Sequence, residues 1–260
     1  MALMRLLANL LMLQLSYVSA YHERIIGGAE CNKNEHPFLV LFYDSLGPFC
    51  SGILLNQDWV LTAAHCYSNK FQMKLGVHNT DTPNGNEQIR EPMEEWCCPD
   101  TSNCTTSKHD IMLIRLNSSV NYTAHIAPLS LPSTSPTLSS YCTVMGWGTI
   151  TTPEVTYPKV PYCVDIQIVH NQVCQAAYPW GIITKNMLCA GDLEGGKDSC
   201  KGDSGGPLLC NGEFQGILSW GGFPCAQPLE PGIYIKVINY IEWIQSIIAG
   251  NTNVICPSLQ

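Results

Sequence analysis

The feature that most constrains this chain is its set of fourteen cysteines, an even number, placed after a leader that directs export. Exported proteins keep disulfides, whereas cytosolic ones rarely do, so an even number of cysteines favours a disulfide framework. The cysteines are scattered and no C-x-x-C pair occurs, which argues against a structural metal site. We therefore expect a compact, cross-linked extracellular fold with no metal and no cofactor.

The leader occupies residues 1–20. One positive charge lies in Met1–Arg5, a leucine-rich core follows in Leu6–Leu15, and Val18-Ser19-Ala20 fits a small-residue cleavage site. The apolar run is too short to span a bilayer. We predict a signal peptide, secretion to the extracellular space and no membrane association.

Length and charge limit the remaining possibilities. A chain of 260 residues can form one large all-β domain or two subdomains. Its formal net charge is −8 and it has no basic run, which argues against nucleic acid as a partner. We expect a monomer that acts on protein partners.

Short apolar runs separated by turn residues are typical of an all-β fold. The C-terminal segment differs, because Ile241, Ile244 and Ile248 have helical spacing, so we predict a helix over Ile238–Ala249. A Pro- and Ser-rich stretch at Pro128–Ser140 is the expected linker between two halves. The predicted strands are Phe38–Tyr43, Ile53–Leu55, Trp59–Thr62, Met73–Gly76, Ile111–Leu116, Thr143–Trp147, Pro207–Cys210, Gln215–Trp220 and Gly232–Val237.

Three segments carry residues suited to nucleophilic catalysis. They are Thr-Ala-Ala-His65-Cys, Asp110-Ile-Met-Leu-Ile and Gly202-Asp-Ser204-Gly-Gly-Pro. A serine hydroxyl is a weak nucleophile that needs a base such as His65, whose ring a carboxylate such as Asp110 can orient. The backbone N–H groups of Gly202 and Ser204 can both point at one developing oxyanion.

The order histidine, aspartate, serine, together with the flanks of each segment, resembles the trypsin/chymotrypsin family over residues 25–249. The resemblance implies two six-stranded antiparallel β-barrels with a C-terminal helix. It also implies that residues 21–24 are an activation propeptide, cut between Arg24 and Ile25. The new Ile25 ammonium would then pair with Asp203 and order the oxyanion loop, so the uncut chain would be inactive.

The same resemblance implies a specificity for basic residues. Asp198 matches the aspartate at the base of the substrate pocket, where a carboxylate would pair with Arg or Lys. Gly221 and Gly232 match the pocket walls, and Ser219 and Trp220 match the strand that binds the substrate backbone. At the rim, Ser107 would leave a neighbouring subsite open. Lys201 is open to two interpretations: a solvated side chain, or a cation that favours acidic residues beyond the scissile bond.

A surface loop departs from the trypsin pattern. Val77 lies where trypsin has a calcium-binding carboxylate, although Glu87 remains. Calcium requires about six oxygen ligands. The sequence therefore predicts no bound calcium.

The cysteines and the tail narrow the resemblance to the snake-venom serine proteases. The chain continues past the helix as residues 250–260, which contain Cys256, and a cysteine also lies at position 98. The resemblance implies Cys98–Cys256 as an anchor for this tail and leaves Cys97–Cys104 for a small loop, with Cys97–Cys256 as the alternative. The other pairs that it implies are Cys31–Cys163, Cys50–Cys66, Cys142–Cys210, Cys174–Cys189 and Cys200–Cys225.

Three sequons, at Asn103, Asn117 and Asn121, are candidate glycosylation sites. The resemblance as a whole implies a secreted serine endopeptidase that cleaves plasma proteins such as fibrinogen after Arg or Lys and so acts as a toxin on haemostasis. Two alternatives stay open here. One is a tissue or digestive trypsin-like protease, against which the tail cysteine argues. The other is an inactive binding homologue, against which the intact His65, Asp110 and Ser204 argue.

Overall fold

The computed structural model describes residues 25–98, 104 and 108–259, and within them the chain forms two antiparallel sheets. The predicted signal peptide, the propeptide with Arg24, and also Asn103 and Ser107 lie outside the described residues. The strands are β1 (Ala29–Glu30), β2 (Leu39–Asp44), β3 (Gly47–Asn56), β4 (Trp59–Thr62), β5 (Gln72–Leu75), β6 (Gln88–Arg90), β7 (Pro92–Cys97), β8 (Met112–Leu116), β9 (Tyr141–Gly146), β10 (Tyr162–Val169), β11 (Met187–Gly191), β12 (Pro207–Cys210), β13 (Glu213–Trp220) and β14 (Gly232–Lys236).

The two sheets close differently. The first has the order β6-β5-β2-β3-β4-β8-β7, and its two outer strands are not paired with each other. The second has the order β1-β10-β11-β14-β13-β12-β9, and an added β10–β9 ladder closes six of its strands into a ring, with β1 attached outside. The predicted all-β, trypsin-like architecture is confirmed, with a complete barrel in the second half and a more open one in the first.

The two ladders that matter most for the site have well-defined registers. In the first sheet, Thr62 lies opposite Met112, so the end of β4 meets the start of β8. In the second, the bulged pairing of β13 with β14 places Trp220 opposite Ile233. Bulges re-aim side chains next to active sites. Both sheets therefore bring strand ends to one cleft.

The C-terminal helix is confirmed with different bounds. A 3-10 turn over Val237–Tyr240 precedes helix α2, which spans Ile241–Ile248 and buries Trp243, Ile244 and Ile247. A shorter helix that was not predicted, α1, spans Asn171–Ala177, and His170 caps its first turn by accepting the Gln172 N–H. A further 3-10 turn spans Ala64–Cys66.

Strand β10 was missed although its signal was present. Its buried residues Tyr162, Val164, Ile166 and Ile168 alternate with less buried ones, which is the period-2 pattern of a strand with one buried face. Strands β1, β6, β7 and β11 were also not predicted. The two- and three-residue edge strands β1 and β6 are defined by their partners rather than by their own sequence. Strand β11 is buried on both faces and has no alternation that would mark it as a strand.

Seven disulfides join all fourteen cysteines. The structure has Cys97–Cys104 and Cys98–Cys256 rather than the alternative Cys97–Cys256, and the other five pairs are those that the resemblance implies. The tail is also held by a hydrogen bond of 2.7 Å from Asn186 Nδ2 to the Ser258 carbonyl. No helix within the described residues is long and apolar enough to cross a membrane.

Candidate active site

The β4–β8 ladder brings His65 and Asp110 together. His65 lies in the 3-10 turn after β4, and Asp110 directly precedes the segment that enters β8. His65 Nδ1 is 2.7 Å from Asp110 Oδ2, and the His65 backbone N–H donates to Asp110 Oδ1 at 2.9 Å. The carboxylate thus fixes the imidazole ring through one oxygen and its backbone through the other.

Ser219 adds a third hydrogen bond to this carboxylate. Its hydroxyl donates to Asp110 Oδ2 at 2.5 Å, across the boundary between the two sheets. The sequence predicted Ser219 only as a residue that binds substrate, and this contact with Asp110 was not predicted. A buried carboxylate needs hydrogen-bond donors to replace the water that it loses, and Asp110 is 5% exposed.

His65 is suited to act as a base. Its side chain is 42% exposed, so the ring edge opposite Asp110 can reach a substrate. Burial lowers the pKa of His65, but the hydrogen bond and the charge of Asp110 raise it more, and the pKa lies above its ordinary value. A base of this kind accepts a proton readily near neutral pH.

Ser204 is held in place by backbone contacts between the two sheets. Its carbonyl accepts the Ser51 N–H at 2.8 Å. Gly205 has φ +77°, and a Cβ there would collide with Thr62 Oγ1 and the Ser51 carbonyl. Only glycine therefore allows the Ser204 loop to pack against the segment that leads to His65.

Ser204 Oγ and His65 face one cavity but are not hydrogen-bonded to each other among the contacts of the described residues. In unliganded enzymes this contact is often long and tightens when substrate binds.

The backbone N–H groups of Gly202 and Ser204 are free for a ligand. Within the part of the chain that the structure describes, neither donates to a protein acceptor. Gly202 has φ +97°, and a Cβ there would press on Gly148 Cα and the Tyr157 ring, each 3.0 Å away. Two unused donors that flank a serine hydroxyl can stabilise an oxyanion.

One cavity of about 710 Å³ connects these groups to the predicted substrate pocket. It is lined by His65, Asp110 and Ser204, and equally by the predicted pocket residues Asp198, Ser219, Trp220, Gly221 and Gly232. A Cβ at Gly232 would come within 3.2 Å of the Tyr234 ring, so a larger residue would fill space that is now open. The cavity can hold a long side chain beside Ser204.

Asp198 is a buried carboxylate in this cavity, with 4% of its surface exposed. It accepts the Ala226 N–H at 3.1 Å and the Ser199 hydroxyl at 3.5 Å, and Ser199 in turn contacts the Tyr234 hydroxyl. Burial raises the pKa of Asp198 to about 7, against the hydrogen bonds from Ala226 and Ser199 that lower it. A cation entering the cavity would stabilise its ionised form.

Asp203 is buried inside the protein, with 3% of its surface exposed. Its carboxylate accepts the Gly148 and Cys200 N–H groups at 2.8 and 2.9 Å. Burial raises the pKa of Asp203 to about 6, although these two hydrogen bonds lower it. The segment after Ile25 reaches the pocket directly, because the Asp198 N–H donates to the Ile26 carbonyl at 3.1 Å.

An aromatic cluster beside the cavity was not predicted. The ring of Trp220 lies 5.1 Å from that of Tyr178 and 5.2 Å from that of Trp180, which is 74% exposed. At the rim, the Lys201 ammonium lies 3.7 Å from the centroid of the Phe223 ring. The sequence signal for this cluster was the run Tyr-Pro-Trp in a loop, where exposed aromatic residues point to binding.

The loop that resembles a calcium site is closed by its own hydrogen bonds. Both oxygens of Glu87 are used, by the Asn84 N–H at 2.6 Å and the Gly85 N–H at 2.9 Å. In the described chain, Cys50, His65 and Cys66 form the one group of potential metal ligands, and its two sulfurs are bonded to each other. Of the candidate glycosylation sites, Asn117 and Asn121 are exposed.

Comparison with known proteins agrees with this geometry. The trypsin family model matches residues 25–244. The alpha- and beta-fibrinogenase OhS1 of Ophiophagus hannah is 66% identical over 99% of both chains. The serine protease harobin of Hydrophis hardwickii is 64% identical, over 99% of this chain and all of the relative. The thrombin-like enzyme saxthrombin of Gloydius intermedius is 58% identical over the same shares.

The chain is therefore a serine endopeptidase of the trypsin family, and within that family it belongs to the snake venom serine proteases.

Proposed function

We propose that this protein is a secreted monomeric endopeptidase that cleaves plasma proteins, fibrinogen among them, after Arg or Lys and so disturbs haemostasis. The observation that carries the specificity is the buried Asp198 carboxylate in the same cavity as Ser204 and His65. Fibrinogen enters the proposal because relatives across the chain's whole length are named fibrinogenases. Secretion rests on the leader and the seven disulfides.

The geometry of the cavity supports the following catalytic roles. Ser204 Oγ attacks the scissile carbonyl, and His65 takes its proton and later passes it to the leaving amine. Asp110 holds the proton on His65 Nδ1 and stabilises the imidazolium. The Gly202 and Ser204 N–H groups, which have no protein acceptor among the described residues, receive the oxyanion.

Activation requires a cut between Arg24 and Ile25. Asp203 is buried with two backbone donors and no cation among its contacts in the described chain, so a new ammonium at Ile25 would stabilise its charge. Asp203 directly follows Gly202, so this ion pair would stabilise the oxyanion loop. The uncut protein is then a zymogen.

The test is cleavage of peptide and fibrinogen substrates by the cut protein and its Ser204→Ala variant. We expect the variant to lose on the order of 10⁵-fold or more in kcat, because triad members act as a unit. It should still bind a small amidinium inhibitor, since Asp198 is untouched. Wild-type turnover in the purified Ser204→Ala variant would refute the assignment, and turnover of neutral peptides as fast as Arg peptides would refute the specificity.

A further inference from the structure

We propose that His109 and Tyr240 form a buried positioning pair that aligns Asp110, so that the C-terminal segment helps to set the rate of the reaction. This inference rests on the proposed role of Asp110. It assigns a function to two residues that touch neither the substrate pocket nor the oxyanion donors.

The pair is a direct contact across the molecule. His109 Nδ1 lies 2.9 Å from the Tyr240 hydroxyl, and 131 positions of sequence separate the two residues. Their rings meet edge to face at 5.9 Å and 84°. His109 is 7% exposed and Tyr240 is fully buried. Tyr240 ends the 3-10 turn before α2, so the hydrogen bond ties the residue before Asp110 to the start of the C-terminal helix.

The direction of the hydrogen bond follows from the two environments. Burial, and secondly the charge of Asp110, raise the pKa of Tyr240 far above its ordinary value, so its hydroxyl keeps its proton. Burial lowers the pKa of His109, so its imidazole is neutral at pH 7. A neutral imidazole accepts at one nitrogen. Because the buried Tyr240 O–H has no other acceptor among the described contacts, we assign it as the donor to His109 Nδ1, which places the His109 proton on Nε2.

The backbone transmits this contact to Asp110. The Ile111 N–H donates to the His109 carbonyl at 2.8 Å, which makes Asp110 the central residue of a tight three-residue turn. In such a turn the position of His109 limits the position of Asp110. The Asp110 carboxylate must meet two donors of His65 and one of Ser219 at once.

Tyr240 is itself fully buried and packed. It packs edge to face against Trp243 of α2, at 6.5 Å and 85°, within the hydrophobic core. A hydrogen bond to an immobile partner positions a loop better than one to a surface side chain. Misplacement of a catalytic group by about 1 Å can cost on the order of 100-fold in rate.

The test compares Tyr240→Phe with Tyr43→Phe in the cut protein, using an Arg-containing peptide. Tyr43 is the matched control, because its hydroxyl also donates one hydrogen bond, to Gln72 Oε1 at 2.6 Å, but lies outside the active-site cavity. We expect kcat to fall about tenfold in Tyr240→Phe with KM unchanged, the rate equivalent of one hydrogen bond. The control should keep wild-type kcat.

Two further readouts separate positioning from loss of structure. The Asp110 contact raises the pKa of His65, so misalignment should move the acid limb of the kcat/KM profile of Tyr240→Phe to lower pH. His109→Gln, which retains an acceptor for Tyr240, should keep more activity than His109→Leu. Active sites are counted with a serine-directed sulfonyl fluoride, so that kcat refers to folded enzyme.

The outcomes are distinct. An unchanged kcat and pH profile in Tyr240→Phe, or equal activity in the two His109 variants, would overturn the positioning role. If Tyr240→Phe does not fold, the comparison of the His109 variants decides. Full activity in Asp110→Asn would instead refute the proposed triad, whatever the His109 and Tyr240 variants do.

Discussion

Two buried carboxylates, Asp198 and Asp203, share one loop but differ in what can reach them. Asp198 lines the active-site cavity and is open to a ligand, whereas Asp203 is enclosed beside Gly146 and Gly148, where any Cβ would collide with its carboxylate. Burial raises the pKa of both, to about 7 and about 6. We propose that each carboxylate binds a cation. Asp198 binds the basic side chain of the substrate, and Asp203 binds the new N-terminal ammonium of the cut chain.

The enclosed site should control activity as a whole. We expect Arg24→Gln, which blocks the cut before Ile25, to leave a folded protein with roughly 10³-fold less activity, since loss of one oxyanion donor alone costs about 10²–10³. The measurement is peptide hydrolysis after treatment with an Arg-specific protease. Lys33→Gln, which removes an exposed cation nine positions further along the chain, is the control and should activate normally. Full activity in uncut Arg24→Gln would show that activity does not require an ion pair between Asp203 and the Ile25 ammonium.

The open site should control specificity instead. We expect Asp198→Ser to lower the ratio of kcat/KM for Arg over Phe peptides by about 100-fold or more, because a desolvated cation would lose its partner. Asp165→Ser, which removes an exposed carboxylate, should leave the ratio unchanged. If the ratio in Asp198→Ser equals that of the wild type, Asp198 does not bind the substrate cation.

The free energy of unfolding should depend on pH differently in the uncut and the cut protein, because Asp203 has a cationic partner only after the cut. In the uncut chain, the pKa of Asp203 rises from 3.8 to about 6 on folding. The folded state then holds the proton more tightly, so the free energy of unfolding should fall by about 2–3 kcal/mol as pH rises from 4 to 6.

Denaturant unfolding of uncut wild type and uncut Asp203→Asn measures this contribution. Asp198 is present in both proteins and cancels in the difference. Identical pH profiles for the two would show that Asp203 is not protonated in the precursor. In the cut protein the Ile25 ammonium should abolish the decline.

The smallest expected effect is the pH dependence of ligand affinity at the open site, Asp198. Because the pKa of Asp198 in the empty pocket is about 7, an amidinium inhibitor must compete with a proton, and its affinity should weaken about tenfold between pH 8 and pH 6. The measurement is calorimetry on the cut protein in a His65→Ala background, which removes the histidine that lines the same cavity as Asp198. Affinity that stays constant over this range would show that Asp198 is ionised throughout.

The sequence by itself determined the features that reside in short segments. The flanks of His65, Asp110 and Ser204 identified the candidate site and its order, and these residues do meet in one cavity. The cysteines indicated a disulfide framework, and the apolar runs predicted most of the longer strands. Each of these features depends on residue types within one short stretch of the chain, so a sequence pattern is enough to predict it.

Only the tertiary structure decided which distant groups support the site. Ser219 contacts Asp110, Ser51 holds Ser204, and Tyr240 reaches His109, each from a segment far away in the chain. The raised pKa values of Asp198 and Asp203 depend on burial by surrounding elements. The physical reason is that desolvation and long-range hydrogen bonds exist only once both sheets have packed, and neither leaves a periodic or local trace in the sequence.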